Sequence, residues 1–238
     1  MSYQMPDQGE KYDYVQGKFT AIAQRYDLFN DLITQGFHRH WKNQMIKLAM
    51  LQSGDRALDI CCGTGDITER LKRAVGSEGQ TVGLDFSYGM LEVARSRKTL
   101  EQTPLIQGDA TQLPFQDASF DAVTVGYGLR NLVDLEGGLK EVLRVLKPGG
   151  RFISLDLGKV TLPVAKQVFG FYFFKVVPQI GKILYPGEDM FDYFPQSSVA
   201  YPAPEKLQEM MEGIGFEGVS FQNYHFGGSV IHQAFKAK

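Results

Sequence analysis

Between Ala57 and Asp66 the chain reads ALDICCGTGD, an apolar run followed by two cysteines and two glycines at turn spacing. Leu58-Asp59-Ile60 reads as a short buried strand. From Thr64 to Val75 the apolar residues fall at helical spacing behind a polar cap. A strand that enters a helix through a glycine turn is the opening of a βαβ unit, which constrains everything after it.

The alternation then repeats. Gln80 to Phe86 is a second strand whose acidic residue is Asp85, and Ser87 can cap a helix on which Met90, Leu91 and Ala94 share a face. Pro104 to Asp109 is a third strand and Phe120 to Gly128 a fourth. A helix through Leu139, Val142 and Leu143 follows, stopped by Lys147-Pro148-Gly149-Gly150. Arg151 to Leu157 is a fifth strand. Mostly apolar strands alternating with helices predict an α/β fold with a parallel doubly wound sheet. The end of the chain breaks the pattern. Pro204 to Phe216 is a helix, and Gly218–Tyr224 and Ser229–Phe235 are strands joined by a turn over His225 to Gly228, which predicts a terminal antiparallel pair. Thr161 to Ala203 is too long for a plain connection and is expected to cap the sheet edge.

Composition narrows the function classes. The 238 residues, 43% hydrophobic, suffice for one core with an appended subdomain. A net charge of -2 and no Lys/Arg block give no footprint for nucleic acid. The N-terminal MSYQMPDQGEKYDY has no apolar core of a secretory signal. A spanning helix needs roughly 20 uninterrupted apolar residues; in the nearest candidate, Val168 to Leu184, Lys175, Pro178 and Lys182 intervene. Cys61 and Cys62 are adjacent, a poor geometry for a disulfide, so a reducing, cytoplasmic location is expected.

The glycine turn presents backbone and a helix N-terminus to a ligand. A dinucleotide fingerprint would need a third glycine where Thr68 stands, and Thr68 should crowd the helix against the strand. Asp66 would oppose a pyrophosphate, and no Gly-Lys-Ser/Thr of a P-loop follows. A nucleoside without phosphates suits the turn better. Asp85, 20 residues past Gly65, can accept both ribose hydroxyls. Asp59 would suit an amine or sulfonium, and Asp109 the amino group of adenine. Each carboxylate alone could be a turn or cap residue; in this order and spacing they point to S-adenosylmethionine. Cys61 and Cys62 read as small turn residues, and two adjacent thiols make no zinc site, so no metal is expected.

ALDICCGTGD, GLDFSYGML, GDATQLPFQDASFDAVTVGYGLRN and RVLKPGGRF resemble class I SAM-dependent methyltransferases. Tyr26 to Lys42 (YDLFNDLITQGFHRHWK), with GYGLRN and RVLKPGG, is similar to the ubiquinone/menaquinone-biosynthesis C-methyltransferase family, whose substrate is a prenylated quinol. The likeness runs from about Phe19 to the C-terminus, and its narrower part rests on Tyr26, Asp27, Asn30, His38 and Trp41. It implies a Rossmann-like sheet of five parallel strands plus the antiparallel pair, with helices on both faces. The expected organisation is an N-terminal helical lid (1–50), a cofactor core (51–160), an aromatic cap (161–203) and a closing helix and strand pair (204–238).

Cofactor contacts implied by the resemblance are Thr64, Asp85, Asp109, Ala110 and Gly126, joined by Asp59 at the end of the first strand, Gly63 and Gly65 in the turn, and Met90 in the helix after the second strand. Some members carry Asn-Ala in place of Asp109-Ala110, and both pairs can accept from adenine. Many carry Glu for Asp156 and Ser for Lys159, which bears on the substrate side. Arg130, in the Gly-x-Arg-Asn run, is implied to help activate the substrate. An Arg stays protonated, so stabilising a phenolate suits it better than acting as a base. Tyr26 and His38 complete the candidate catalytic set, with packing an equal reading for both. Trp41, Met45 and Leu48 repeat at helical spacing as core, and His40, His225 and His232 read as structural. The aromatic run Phe169 to Phe174 could line a channel for an isoprenoid tail, touch the inner membrane peripherally, or be an ordinary buried helix. No oligomeric state follows. Naphthoquinol methylation is the leading reading; a benzoquinol, another apolar acceptor, and a non-catalytic SAM- or lipid-binding subunit are the alternatives.

Overall fold

The structure, a computed structural model, describes residues 10–238. The first nine residues of the expected lid, and with them most of the polar N-terminal stretch, lie outside the described residues. Among the described residues seven strands form one sheet: β1 (Arg56–Ile60), β2 (Gln80–Asp85), β3 (Leu105–Gln107), β4 (Phe120–Gly126), β5 (Leu146–Leu157), β6 (Phe216–Tyr224) and β7 (Ser229–Lys236). Their order is β3-β2-β1-β4-β5-β7-β6. The first five are parallel, and β7 lies antiparallel to both β5 and β6. The expected fold class holds. Strand order reverses at β1, which has β2 on one side and β4 on the other, so the crevice for a ligand opens beyond the carboxyl ends of β1 and β4.

Side-chain alternation assigns the faces. Leu58, Ile60, Val123 and Val125 pack under α6 (Leu135–Val145) and α10 (Pro204–Ile214), against Leu139, Val142, Leu207 and Met211. Ala57, Ala122, Ile153 and Leu155 face α3 (Phe37–Ala49) and α4 (Asp66–Val75), where Trp41, Met45, Ile67 and Leu71 meet them. With both faces covered, the central strands are mostly apolar, and the buried polar exceptions, Asp59, Thr124 and Asp156 among them, stand out. Several boundaries differ from expectation: the helix after β1 begins at Asp66 instead of Thr64, β4 ends at Gly126 instead of Gly128, and β6 begins at Phe216, which the sequence reads as helix. Two further differences have a local cause. β5 starts at Leu146 because the Lys-Pro-Gly-Gly stop is a bulge within the strand: pairing jumps from Phe120–Leu146 to Ala122–Arg151. β3 is only three residues, since Gly108 leaves the sheet and Pro104 precedes it.

A third apolar cluster joins the two ends of the expected chain plan. From the N-terminal region come α1 (Lys11–Ile22) and α2 (Tyr26–Thr34), which contribute Val15, Phe19, Ile22 and Phe29. From residues 161–203 come α7 (Pro163–Phe171), a π-turn (Tyr172–Val176), α8 (Val177–Leu184) and α9 (Met190–Ala200), which contribute Phe173, Val177, Phe191 and Phe194. This cluster sits on Phe86 and Leu157, the residues at the ends of β2 and β5. The helices therefore cover the carboxyl ends of the strands instead of a sheet edge, because that is where their apolar partners are. α3 behaves differently, packing on the sheet face with Trp41 6% and Met45 0% exposed.

Within the cluster, α8 approaches α9 through Gly181, where a Cβ would stand 2.1 Å from Phe191 Cγ. A Gly to Ala change inside a helix ordinarily stabilises by up to about 1 kcal/mol. Gly181→Ala is expected to reverse that sign and destabilise by roughly 1–3 kcal/mol through overpacking, read as a fall in urea midpoint; a raised midpoint would mean that Phe191 yields freely.

Candidate active site

Two cavities adjoin above the β1–β4 crevice. The first, about 950 Å³, is floored by Cys61, Cys62, Gly63 and Thr64 in the turn after β1, and walled by Asp85, Met90, Asp109, Ala110 and Gly126. α5 (Tyr88–Arg95) supplies Met90. Tyr12, Phe19 and Tyr26 of α1 and α2 close it from above. Seven of the nine residues expected to bind a cofactor thus meet in one place.

The other two do not reach it. Asp59 is fully buried in β1, where its carboxylate accepts from Thr68 Oγ1 at 2.7 Å and Thr124 Oγ1 at 2.9 Å. It shares the α4 face with Ala57, so strand alternation directs it beneath the helix and away from the crevice. Burial pushes its pKa up to about 7 against those two hydrogen bonds. Gly65 adopts φ +82°, and a Cβ there would stand 2.5 Å from Leu100 Cδ1, so it serves close packing. Thr68 also corrects an expectation. It does not crowd the strand, because Gly83 on β2 provides the room: a Cβ at Gly83 would lie 3.3 Å from Thr68 Oγ1 and 3.1 Å from Cys62 Sγ.

Asp85 is the most constrained group in the cavity. Its Oδ2 accepts from Gly63 N and its Oδ1 from Ser87 N, both at 2.8 Å. Each oxygen keeps a further lone pair for a ligand hydroxyl. Burial pushes the pKa up to about 6, with the two N–H groups pulling the other way. Ser87 in turn accepts from Met90 N at 3.3 Å and meets Thr20 Oγ1 at 2.9 Å. Asp109 Oδ1 accepts from Thr111 N and Oγ1, both at 2.8 Å. The thiols of Cys61 and Cys62 are pushed well up by burial, which leaves them protonated and unreactive.

Helices over the cavity are latched by polar contacts. Thr64 Oγ1 donates to Asp27 Oδ1 at 2.6 Å, Arg97 donates to the Thr64 carbonyl at 2.6 Å, and Arg97 also pairs with Asp27. Lys42 pairs with Asp66 at 2.8 Å. Burial alone would raise Asp66, but Lys42 and Arg70 hold it down at about 2. Lys11 Nζ donates to the Leu132 carbonyl and Gln16 Nε2 to that of Phe86, both at 2.8 Å.

The second cavity, about 1070 Å³, is mostly aromatic and aliphatic, with Leu157, Phe169, Tyr172, Phe173, Val177 and Phe194 on one side and Ile33, Phe37 and Trp41 on the other. Tyr26, Asn30 and Tyr127 line both cavities and form the passage between them. Burial raises both phenol pKa values, so Tyr26 and Tyr127 stay neutral. Tyr127 sits at φ +59° between Gly126 and Gly128, a strained placement for a tyrosine.

Arg130 and His38, both expected as site residues, line this second cavity. Arg130 is 5% exposed; its Nη1 donates to Asp156 Oδ1 at 2.8 Å and to the Tyr127 carbonyl at 2.6 Å. Its Nε and Nη2 are buried without a hydrogen-bond partner. Phe194 lies 4.9 Å from the guanidinium. His38 Nε2 meets Asp31 Oδ1 at 2.8 Å. His225, read from sequence as structural, also lines the cavity, its ring tilted against Phe37 at 4.5 Å and edge-on to Trp41 at 4.9 Å. His232 is held by the Pro204 carbonyl at 3.0 Å. Sequence reasoning missed Tyr127 and Asp31. The Gly-Tyr-Gly triplet was a usable signal for Tyr127; nothing local marked Asp31. No cluster of three or more His, Cys, Asp or Glu suited to a metal occurs among the described residues.

Comparison with known proteins adds three findings. The model of the ubiE/COQ5 methyltransferase family matches residues 6–236. Demethylmenaquinone methyltransferase of Staphylococcus aureus (strain JH9) is 40% identical over 235 residues, 98% of this chain and 98% of that protein; the protein of that name from strain Newman matches equally. Among solved structures, a SAM-dependent methyltransferase from Thermotoga maritima superposes with TM-score 0.62 at 20% identity, covering 92% of this chain and 98% of that one. Phosphoethanolamine N-methyltransferase 2 of Haemonchus contortus superposes with TM-score 0.60 at 18% identity, covering 82% of this chain and 53% of that one. The two structural likenesses speak to the fold.

Asp59 makes stability depend on pH in a known direction. Its folded pKa of about 7 exceeds an unfolded value of about 3.9, so the folded state binds the proton more tightly. The resulting stability is fully present below about pH 4 and is lost as pH rises through about 7. Between pH 4.5 and 7.5, Asp59→Asn is expected to gain on the wild type in urea melts by on the order of 1–4 kcal/mol. Parallel stability profiles would show that Asp59 stays ionised throughout.

Proposed function

The chain belongs to the ubiE/COQ5 methyltransferase family, and we propose that it transfers the methyl group of S-adenosylmethionine to a ring carbon of a demethylmenaquinol. The observation that carries this reading is the meeting of a carboxylate-lined cavity with an aromatic one at Tyr26, Asn30 and Tyr127. The names of the relatives support a naphthoquinol acceptor.

The residues of the first cavity fit the donor. Asp85 has lone pairs for two ribose hydroxyls, and Asp109 with Ala110 faces the place of an adenine. Gly63 and Thr64 carry the backbone of the turn beneath it, Met90 and Gly126 flank it, and α1 with α2 form its lid. When bound, the donor supplies a methyl group on a cationic sulfur. The protein has to hold the ring carbon in line, exclude water and stabilise the ring oxygen as charge develops on it. Arg130 suits the last task, because its Nε and Nη2 are unpartnered donors in a buried setting. Asp156, paired with Nη1, offsets the buried charge without occupying those donors. The neutral phenols of Tyr26 and Tyr127 line the passage without adding charge there.

The aromatic run serves two surfaces in this reading. Phe169, Tyr172 and Phe173 line the second cavity as a channel for the prenyl tail. Outside it, Val164, Val168 and Phe171, one helical face of α7, are 76%, 67% and 69% exposed, and Phe174 and Ile183 are exposed as well. Residues 159–187 carry four lysines and no carboxylate. Apolar side chains among lysines suit peripheral contact with an anionic lipid surface. No helix among the described residues is long and apolar enough to cross a membrane.

Methyl-labelled S-adenosylmethionine with reduced demethylmenaquinol tests the activity: ring-labelled product is expected, and its absence with the cofactor bound would refute the acceptor. In calorimetry Asp85→Ala, verified as folded, should weaken cofactor binding by roughly 10–100-fold per charged hydrogen bond lost; unchanged affinity would refute the ribose assignment. For the lipid surface, the wild type is expected to sediment with phosphatidylglycerol-containing vesicles, and the double variant Val168→Glu/Phe171→Glu to stay in the supernatant while binding the cofactor normally. Equal sedimentation of the two would remove α7 from the contact.

A further inference from the structure

A quinol ring becomes nucleophilic when a hydroxyl proton leaves, and Arg130, always protonated, cannot take it. The other titratable groups that line the second cavity are Tyr26, Tyr127, Tyr172, His38 and His225. Burial raises all three phenols, which makes them poor acceptors at neutral pH. His225 lies in the exposed β6–β7 turn. That leaves His38, 4% exposed.

The chain holds His38 in one orientation. α2 ends on left-handed Gln35 and Gly36, φ 50° and 76°, and this reversal folds α3 back so that His38 meets Asp31. Arg39 grips Asp31 through Nε at 2.8 Å and Nη2 at 2.6 Å, and with His38 keeps its carboxyl below the usual range, so it is ionised. An ionised carboxylate only accepts, which requires the proton of neutral His38 to sit on Nε2. Nδ1 therefore carries the lone pair, and it is buried with no hydrogen-bond partner.

We propose that His38, positioned by Asp31, is the general base that receives the quinol hydroxyl proton on Nδ1. The inference rests on the methyl-transfer reading above. In the step, the O–H bond breaks, its electron pair stays on the oxygen and feeds the ring, and the proton makes an imidazolium facing Asp31. The ring carbon then takes the methyl as the methyl–sulfur pair goes to sulfur. Loss of the ring C–H proton and return of the Nδ1 proton to oxygen restore the quinol, releasing one proton overall and needing no oxidant. The charged groups around the imidazole agree with a base that is free at neutral pH. Burial and Lys42, one turn along α3, lower its pKa, while Asp31 and Asp66 oppose them. Lys42 is itself tied to Asp66 of α4, and Arg39, Arg130, Tyr26 and His225 complete the surroundings.

The test is the kcat profile from pH 5 to 8.5 at saturating donor and demethylmenaquinol, so that titration of Asp85 enters binding and not turnover. The wild type should lose kcat toward acid pH with a midpoint below the ordinary histidine value. His38→Gln should lower kcat by roughly 10²–10⁴-fold, abolish that acid limb, and leave donor affinity and quinol KM near wild type. Asp31→Asn should move the limb to lower pH, and added imidazole should restore part of the turnover of His38→Ala. A wild-type profile flat to pH 5, a His38→Gln enzyme with its limb intact, or loss of the limb in His225→Gln instead would each overturn the proposal. If the His38 variants fail to fold by circular dichroism, an unmoved limb in Asp31→Asn decides against it. A wild type that binds the donor but methylates no demethylmenaquinol refutes the acceptor reading and this inference together.

Discussion

The backbone N–H groups of Gly63 and Ser87 converge on the carboxylate of Asp85, and the geometry of the first cavity follows from that convergence. It ties the turn after β1 to the end of β2 across the point where strand order reverses. It also seats Ser87, whose hydroxyl caps α5 and so places Met90, and which meets Thr20 on α1. A buried carboxylate left with unsatisfied oxygens would be costly, so the turn closes on it whether or not a ligand is near. The floor of the site is preorganised by the protein's own hydrogen bonds.

Above this floor the N-terminal helices and the cap share one apolar cluster, while their polar contacts reach down to the turn. Asp27 joins Thr64 and Arg97, so the Tyr-Asp pair at the start of α2 works as a unit: the tyrosine lines the passage and the aspartate latches its helix. Contacts of this kind tie the N-terminal helices to the turn beneath them. The second cavity follows a different logic. It is largely apolar, and its few polar groups carry unfilled hydrogen-bonding capacity at Arg130 and His38. Unfilled capacity in a buried site is costly for folding and suits a ligand that brings the missing partners.

The fold was legible because period-2 and period-3.6 patterns are local. Strand-end carboxylates were legible where the strand delivers them to the crevice, as for Asp85 and Asp109. Asp59 was misjudged for the same local reason: spacing marked it as a strand-end acid, but its position beside Ala57 on the α4 face turns it into the core toward Thr68. The missing third glycine was visible, yet its compensation by Gly83 lies on another strand. The split of the aromatic run into cavity-lining and exposed residues follows from helical periodicity, but which face meets the cavity depends on α2, more than a hundred residues earlier.

By itself the sequence determined the parallel sheet with its antiparallel ending and the placing of Asp85 and Asp109 at or just beyond the ends of parallel strands, because each is written in short-range pattern or motif. Only the tertiary structure decided that β7 inserts beside β5, that lid and cap form one cluster, and that two cavities meet at Tyr26, Asn30 and Tyr127. It alone paired Asp31 with His38 through the left-handed turn at Gln35 and Gly36. Those features depend on how distant apolar surfaces fit one another, and packing of that kind leaves no periodic mark along a chain.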